Sequence, residues 1–215
     1  MMDIEDIKRG IMGGKKRAAA KLITMMENED TRSLELMKDL YHLTGKARVI
    51  GITGPPGAGK STVTDQIAKL IRKQGKKVGV IAVDPTSPFS HGAILGDRVR
   101  MNDLNTDEGV FIRSMGTRGA LGGLSDAVYG TVNILDIFGM DYIFIETVGV
   151  GQSEVDIVKV ADVVVMVVVP GLGDDIQTMK AGIMEIGDIF AVNKSDKEGA
   201  QRTAAEIEAM LSFND

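Results

Sequence analysis

The stretch that decides the fold is Gly54-Pro55-Pro56-Gly57-Ala58-Gly59-Lys60-Ser61-Thr62. It follows an apolar run over Arg48–Thr53 and precedes a helical pattern over Thr62–Lys73. Its glycines let successive backbone amides turn toward a bound β-phosphate, and the start of the helix adds a partial positive charge. The order strand, glycine-rich loop, lysine, hydroxyl residue and helix is typical of a P-loop. In a P-loop, Lys60 bridges the β- and γ-phosphates and the Ser61 hydroxyl ligates Mg²⁺.

Short apolar runs alternate with helical patterns from residue 46 onward, and this alternation predicts the fold class. The predicted strands are Arg48–Thr53, Val78–Val83, Val110–Arg113, Tyr142–Glu146, Val163–Val169 and Ile189–Asn193. The predicted helices are Thr62–Lys73, Gly123–Phe138, Glu154–Val160, Asp174–Glu185 and Gly199–Phe213. Continuous Val/Ile runs between helices are typical of parallel strands buried on both faces. We predict an α/β P-loop NTPase fold with a mostly parallel sheet and helices on both faces, whose ligands bind at the carboxyl ends of the strands.

Residues 1–45 are predicted to form a helical N-terminal extension ahead of a P-loop domain that covers residues 46–215. Two sets of apolar residues recur at helical spacing. They are Ile4, Ile7 and Ile11 in the first set and Leu34, Met37 and Leu40 or Tyr41 in the second. Gly13-Gly14 and the polar stretch Glu27–Thr31 divide the extension into two or three helices. The basic run Lys15-Lys16-Arg17 is expected to be a solvated face.

Composition excludes several classes of function. The formal net charge is −5, whereas nucleic-acid binders and proteins of acidic membranes need a basic surface. Cysteine is absent, which excludes disulfides, cysteine-ligated zinc and iron–sulfur clusters. The most apolar run, Val163–Val169, has seven residues, and a membrane helix needs about 20. The N-terminus lacks a secretory signal pattern. We therefore expect a cytoplasmic protein that binds neither nucleic acid nor membrane.

Two acidic residues at strand ends are expected to face the P-loop. Asp84 follows the Val78–Val83 strand, and Glu146 closes the Tyr142–Glu146 strand. Carboxylates at these positions hold Mg²⁺ or its water ligands in the P-loop template. Gly149 follows shortly after Glu146, where its backbone amide can sense the γ-phosphate.

The stretch Asn193-Lys194-Ser195-Asp196 directly follows an apolar strand, about 130 residues after the P-loop. The Asp196 carboxylate can accept hydrogen bonds from N1–H and the 2-amino group of guanine, whereas adenine offers neither donor. A site built around such a pair rejects the wrong base by about 10⁴ or more. Lys194 is predicted to lie along the purine plane, and Asn193 to join neighbouring loops. This motif therefore favours GTP and GDP over adenine nucleotides.

Five stretches together resemble the methylmalonyl-CoA mutase-associated GTPases, the MeaB-like family also known as ArgK-type arginine/ornithine transport ATPases. They are Gly54–Thr62, Asp84–Ser90, Ile94–Arg98, Glu146–Glu154 and Gly173–Gln177. The match runs from about Arg48 to Asp196, and the stretch after Asp84 is its most specific part because generic P-loop proteins lack it.

The resemblance implies a GTPase chaperone that gates cobalamin loading and protects an adenosylcobalamin-dependent acyl-CoA mutase. It implies phosphate and Mg²⁺ roles for Lys60 and Ser61, and metal-binding or switch roles for the carboxylates of Asp84, Asp97 and Glu146. Asp174 would belong to a third segment that couples the nucleotide to the partner. Family members continue with another strand, a loop that completes the guanine pocket and a C-terminal dimerisation arm. Since this sequence ends earlier, we expect a fragment or a short form, in which a homodimer would lack that arm.

Three other interpretations compete with this one. A metal-insertion GTPase of the nickel-chaperone type needs thiolate or clustered imidazole ligands, but this chain has no cysteine and its only histidines are His42 and His91. A transport-associated ATPase or kinase is disfavoured by Asp196. The third interpretation is a nucleotide-sensing adaptor that barely hydrolyses GTP. GTP turnover measured with and without a mutase distinguishes such an adaptor from the leading interpretation.

The sequence also predicts slow hydrolysis without a partner. Val150 follows Gly149, where many signalling GTPases place a glutamine that orients the attacking water, and an isopropyl group neither donates nor accepts a hydrogen bond. Gln152 would need a different switch conformation to reach that water. Three arginines could stabilise transition-state charge, and the sequence does not choose among them. They are Arg98, Arg113 and Arg118.

Overall fold

A computed structural model describes residues 2–84, 102–116, 126–147, 156–171 and 186–212 of the chain. The helices are α1 Ile4–Met12, α2 Lys16–Glu27, α3 Thr31–Leu40, α4 Lys60–Lys73, α5 Asn102–Asn105, α6 Asp126–Ile137 and α7 Ala200–Leu211. Single 3-10 turns lie at Tyr41–Leu43 and Ile157–Lys159. The strands are β1 Arg48–Thr53, β2 Val78–Asp84, β3 Val110–Gly116, β4 Tyr142–Thr147, β5 Val163–Val168 and β6 Ile189–Val192.

The six described strands form one sheet in the order β3-β2-β4-β1-β5-β6, and all of their pairings are parallel. This confirms the predicted parallel α/β fold. The register sets Ile52 of β1 beside Glu146 of β4, and Val83 of β2 beside Thr147. The carboxyl ends of the central strands therefore lie side by side at one edge of the sheet, directly under the glycine-rich loop.

Some predicted boundaries differ from those of the structure. The helix after the glycine-rich loop begins at Lys60 and not at Thr62, and β3 continues three residues past Arg113 to Gly116. Within the predicted helix Glu154–Val160, the described part from residue 156 forms a single 3-10 turn at Ile157–Lys159. The predicted helix Asp174–Glu185 lies outside the described residues.

The two faces of the sheet bury different side chains because successive residues of a strand point to opposite faces. In β4, Ile143 and Ile145 belong to a hydrophobic cluster that includes helices α1, α2, α3 and α6. Phe144, between them, packs in a second cluster with Ala68 and Ile71 of α4. The sheet is thus covered on both faces, as the continuous apolar strands predict.

Three helices precede the sheet, with breaks at the predicted positions. Ile7 and Ile11 of α1 are buried, as the helical spacing predicts. In α3 the prediction is partly wrong: Met37 and Leu40 are buried, but Leu34 and Tyr41 are 50% and 63% exposed. A different stripe of α3, which includes Leu36, faces the core.

One residue of the predicted solvated basic run is a structural contact. Lys16 is partly buried, and its Nζ donates to the backbone oxygens of Asp107 and Val110, at 2.9 and 2.7 Å. The prediction for this residue is therefore wrong, since Lys16 ties α2 to the start of β3. Arg72 of α4 reaches the same corner and donates two hydrogen bonds to the Asp107 carboxylate, both at 2.9 Å. The Arg72 guanidinium and the Gly109 amide hold the pKa of Asp107 below its ordinary value.

Within the described ranges, every helix is too short or too polar to cross a lipid bilayer.

Candidate nucleotide-binding site

Gly54, Gly57 and Gly59 shape the loop between β1 and α4. All three have positive φ angles, of 135°, 75° and 90°, which side chains larger than hydrogen rarely adopt. A Cβ at Gly54 would lie 2.1 Å from the backbone oxygen of Val167, and one at Gly59 would lie 2.4 Å from Nδ2 of Asn193. Glycine is therefore required at both ends of the loop by conformation and by space.

Lys60 and Ser61 form the first turn of α4, and Lys60 is 6% exposed. The Lys60 ammonium donates to the backbone oxygens of Gly54 and Pro55, at 2.8 and 3.1 Å. This places a positive charge over the loop, at the helix N-terminus. A cation at this position, together with backbone amides, is what an anionic phosphate chain requires. Thr62 follows in the same turn of the helix.

The Ser61 hydroxyl donates a hydrogen bond to Oε1 of Glu146, at the carboxyl end of β4. Glu146 is 7% exposed, and its neighbour Thr147 is 1% exposed. The Thr147 hydroxyl lies 3.4 Å from that of Thr53, the last residue of β1. Two oxygen donors of the type that Mg²⁺ prefers thus converge beside the loop. Thr53 and Thr147 were not anticipated from the sequence, although each is a polar residue at the end of an apolar strand.

A magnesium ion fits this donor set only with help from the nucleotide. Among the described residues there is no group of three or more histidine, cysteine or acidic side chains that could hold a metal alone. P-loop sites bind Mg²⁺ through one or two protein oxygens, phosphate oxygens and water. Ser61 and Glu146 are the two side chains that could supply the protein oxygens in such an arrangement.

The predicted base motif contacts the glycine-rich loop directly. Asn193 lies just after β6, and its side-chain amide donates to the backbone oxygen of Ala58 at 2.8 Å. Lys194 Nζ donates to the backbone oxygen of Gly57 at 2.7 Å. Lys194 has a φ of 56°, uncommon for a residue with a side chain. Residues more than 130 positions apart in the chain therefore form one contiguous surface.

Asp196 follows this contact with an exposed side chain, so its carboxylate is free to meet a base edge. Arg113, a candidate for charge stabilisation, instead forms an ion pair with Glu27 of α2. Its guanidinium also lies 3.3 Å from the Thr24 hydroxyl. Arg113 is thus a link between β3 and α2.

Several predicted site residues are not located. Asp84 ends β2, pairing with Gly116 of β3, and only its backbone is described. The remaining candidates lie outside the described residues. They are Asp97 and Gly149 from the proposed site, His91, Arg98 and Arg118 among the further candidates, and Val150, Gln152 and Asp174 from the proposed switch segments.

Comparison with known proteins identifies a family. The family model described as methylmalonyl Co-A mutase-associated GTPase MeaB matches residues 19–215. A protein of Pyrococcus horikoshii is 59% identical over 213 residues, which cover 99% of this chain and 67% of that protein. GTPase ArgK of Escherichia coli is 38% identical over 204 residues, which cover 93% of this chain and 61% of the relative.

Among solved structures, the crystal structure of LAO/AO transport system kinase is similar, with a TM-score of 0.74 and 29% sequence identity. The similarity covers 94% of this chain and 60% of that one. The chain therefore spans between 60% and 67% of the length of these three proteins.

Proposed function

The chain belongs to the methylmalonyl-CoA mutase-associated GTPase family, and from that premise we propose that it binds GTP with Mg²⁺, hydrolyses it to GDP and phosphate, and acts as a chaperone of an adenosylcobalamin-dependent acyl-CoA mutase. One observation carries the nucleotide part of this proposal. The base motif and the glycine-rich loop contact each other through Asn193 and Lys194, so a guanine base and a phosphate chain can be held by adjoining surfaces.

In the proposed complex, the loop Gly54-Pro55-Pro56-Gly57-Ala58-Gly59 surrounds the β-phosphate with its backbone amides. Lys60 exchanges its contacts with the loop carbonyls for contacts with the β- and γ-phosphate oxygens. Its geometry supports this role, because its ammonium already lies within hydrogen-bond distance of the loop. Thr62 continues the first turn of α4, whose N-terminus favours negative charge.

Metal binding is assigned to the carboxyl ends of the strands. Ser61 and Glu146 are the proposed protein oxygen ligands, and their side chains already share a hydrogen bond. Asp84 and Asp97 are proposed to complete the metal-binding or switch carboxylates. A bound Mg²⁺ neutralises charge on the phosphate oxygens. Glu146 also positions the attacking water, and Gly149 donates its amide to the γ-phosphate.

Asp196 is the proposed determinant of base choice, since its carboxylate accepts from N1–H and the 2-amino group of guanine. Lys194 covers the purine plane, and Asn193 fixes the motif against the loop through its contact with Ala58. An ATP-dependent kinase or transport ATPase is disfavoured, because adenine presents a hydrogen-bond acceptor to this carboxylate. Xanthine carries a carbonyl in place of the 2-amino group, so an amide at position 196 suits xanthine nucleotides.

The proposed partner follows from the association of the matched family with methylmalonyl-CoA mutase. Slow intrinsic turnover is consistent with a regulated chaperone, because Val150 cannot orient a water molecule. The proposed mechanism is that the mutase fixes the switch around residues 146–153, or the segment 173–177, in its productive conformation.

A charge-stabilising arginine placed at the same time raises GTP hydrolysis by about 10³–10⁵ in other GTPases. Arg113 is disfavoured for that part by its ion pair with Glu27. A cytoplasmic location suits the cysteine-free composition.

The test of this proposal is GTP turnover measured with the protein alone and with an adenosylcobalamin-dependent mutase encoded in the same genome. For the protein alone, we expect a turnover well below 1 s⁻¹, which is the lower end of the range of about 1–10³ s⁻¹ for ordinary enzymes. With the mutase, we expect the turnover to increase clearly. An adenosylcobalamin-dependent mutase from a distant source serves as the control partner. Fast unaided hydrolysis, or no response to any mutase, would contradict the chaperone proposal.

The nickel-insertion alternative predicts instead that the protein retains nickel after gel filtration, which a chain without cysteine is not expected to do.

A further inference from the structure

A cavity lies at the edge of the sheet opposite the candidate nucleotide-binding site. It is bounded by the 3-10 turn after α3, the amino ends of β1 and β5, and the face of α6. Its volume is about 610 Å³, which is within the range of small-molecule pockets, roughly 300–1,000 Å³. No residue proposed to bind GTP lines it. We call it the amino-edge cavity.

The amino-edge cavity is lined by three cationic side chains, those of Lys46, Arg48 and Lys159. Lys159 pairs with Asp156 at 2.6 Å. Lys46 and Arg48 are both exposed, and within the described ranges neither has an ion-pair partner. The lining thus carries three cations and two carboxylates, a formal charge of +1 before the Lys159–Asp156 pair is counted, and Lys46 and Arg48 are its unpaired cations within the described ranges.

Two carboxylates also line the cavity, but both are engaged by backbone amides. Asp136 of α6 is 7% exposed and accepts from the amides of Gly45 and Ala47, at 2.5 and 2.9 Å, with the Lys46 amide at 3.2 Å. Asp162 accepts from the amide of Val49 at 2.8 Å. These bonds hold both carboxylates against backbone amides, and no ion pair among the described residues joins either of them to Lys46 or Arg48, whose side chains can therefore contact an external anion.

Aromatic side chains complete the wall of the cavity. Tyr41 is 63% exposed, and both Tyr41 and Tyr129 of α6 line the cavity. Asn133, one turn further along α6, adds an amide that can donate and accept. Tyrosine rings stack on planar heterocycles, and such stacking is sequence-tolerant among bases.

We propose that the amino-edge cavity is a second ligand site that binds a nucleoside monophosphate or a closely related phosphorylated heterocycle. The phosphate is held by Arg48 and Lys46, with Lys159 nearby, and the ring stacks on the exposed Tyr41, while Tyr129 also lines the cavity. This site is separate from the P-loop, because its residues come from the amino ends of the strands and from α6. The proposal stands whether or not the P-loop is selective for guanine.

The test uses adenosine 5′-monophosphate, which lacks the β-phosphate that a P-loop engages through its lysine. The full chain, labelled with ¹⁵N and saturated with GDP and Mg²⁺, is titrated while its amide resonances are followed. We expect shifts at Lys46, Ala47 and Lys159, and none at Gly57–Thr62. Adenosine and inorganic phosphate, which carry only the ring or only the anion, should each bind at least about tenfold more weakly.

Two variants and a matched control separate this site from a general charge effect. Arg48→Ala and Tyr41→Ala change exposed side chains, so both should fold, and each should weaken monophosphate binding by about tenfold. Lys21→Ala removes an exposed cation on α2, away from the cavity, and should leave binding unchanged. The amide spectrum of each variant checks its fold.

Several results would overturn the proposal. It would be contradicted by resonance shifts confined to the P-loop, or by equal binding of adenosine and its monophosphate. It would also be contradicted if no localised shifts appeared up to about 10 mM ligand, a concentration at which even very weak sites fill. Binding of a hexaglutamate peptide without any response to the monophosphate would also overturn the proposal, because it would assign the cavity to an acidic protein segment.

Discussion

The two edges of the sheet carry candidate sites that are built in different ways. At the carboxyl edge, a contiguous loop, Gly54–Thr62, supplies most of the proposed contacts through its backbone. At the amino edge, the cavity is assembled from side chains of the 3-10 turn, β1, α6 and the turn before β5. A backbone-built site leaves a sequence motif, because glycine is required where the chain turns or touches another strand. A side-chain-built site leaves no motif and becomes visible only in the fold.

Among substitutions at the two edges, we expect the largest effect from Lys60→Ala at the carboxyl edge, and we expect it on the rate of GTP hydrolysis. Removing the cation that faces the phosphates should lower the single-turnover rate of GTP hydrolysis by about 10²–10³, the range for losing a charge-stabilising donor. Lys73→Ala, an exposed lysine at the other end of the same helix, is the matched control and should retain the wild-type rate. An unchanged single-turnover rate in Lys60→Ala would refute the role proposed for this residue.

A smaller effect, and of a different kind, is expected from Asp136→Asn at the amino edge. Both oxygens of the buried carboxylate accept hydrogen bonds from the backbone amides of residues 45–47. An asparagine side chain has only one acceptor oxygen, and its NH₂ group would face a backbone N–H donor. We expect a loss of about 2–3 kcal/mol in the free energy of unfolding, measured by urea denaturation. The turnover of the folded protein should stay within about twofold, since the substitution is remote from the phosphates.

Asp39→Asn is the control for that experiment, because the Asp39 side chain is 67% exposed and lies 3.6 Å from its lysine partner. Its effect on the free energy of unfolding should be under about 0.5 kcal/mol. If Asp136→Asn lowered the free energy of unfolding as little as Asp39→Asn does, the hydrogen bonds of the Asp136 carboxylate would not stabilise the loop of residues 45–47.

The smallest of these effects is expected at the corner where Arg72 meets Asp107. The pKa of Asp107 is lowered by the Arg72 guanidinium and then by the Gly109 amide, so this group stabilises the folded state when it is ionised. Its contribution is complete above the ordinary carboxyl value of 3.8 and is lost as the pH falls below that value toward the lowered pKa. At pH 7, Asp107→Asn should cost about 1 kcal/mol, since the pair is partly exposed.

The pH dependence distinguishes that ion pair from a packing effect. The difference in unfolding free energy between wild type and Asp107→Asn should shrink below about pH 4. The neighbouring exposed Glu108→Gln should show little difference at any pH. A gap between wild type and Asp107→Asn that persists unchanged at pH 3 would show that the Asp107 carboxylate charge is not its source.

The sequence predicted the strands well because their apolar runs are continuous and bounded by polar residues. Each of the six described strands lies within three residues of its predicted bounds. The orientation of α3 could not be predicted, since both Leu34-Met37-Tyr41 and Leu36-Met37-Leu40 fit a period of 3.6 residues. Packing of the whole fold selects the second set.

Long-range polar contacts were also beyond the sequence. Lys16 contacts the backbone of residues 91 and 94 positions away, and no local pattern distinguishes it from its exposed neighbours Lys15 and Arg17. Asp136 binds the amides of a loop about 90 positions earlier in the chain. Both are single polar residues whose partners are backbone groups, so nothing in residue type or spacing indicates the pairing.

In the proposed complex, base selection depends both on Asp196 and on the contact between the base motif and the glycine-rich loop. The measurement is calorimetric titration of wild type and Asp196→Asn with the diphosphates of guanosine, adenosine and xanthosine, in the presence of Mg²⁺. We expect the wild-type protein to bind GDP more tightly than ADP by about 10⁴ or more. We expect Asp196→Asn to shift the preference toward the xanthosine diphosphate. Equal affinities of the wild-type protein for GDP and ADP would contradict the proposed guanine site.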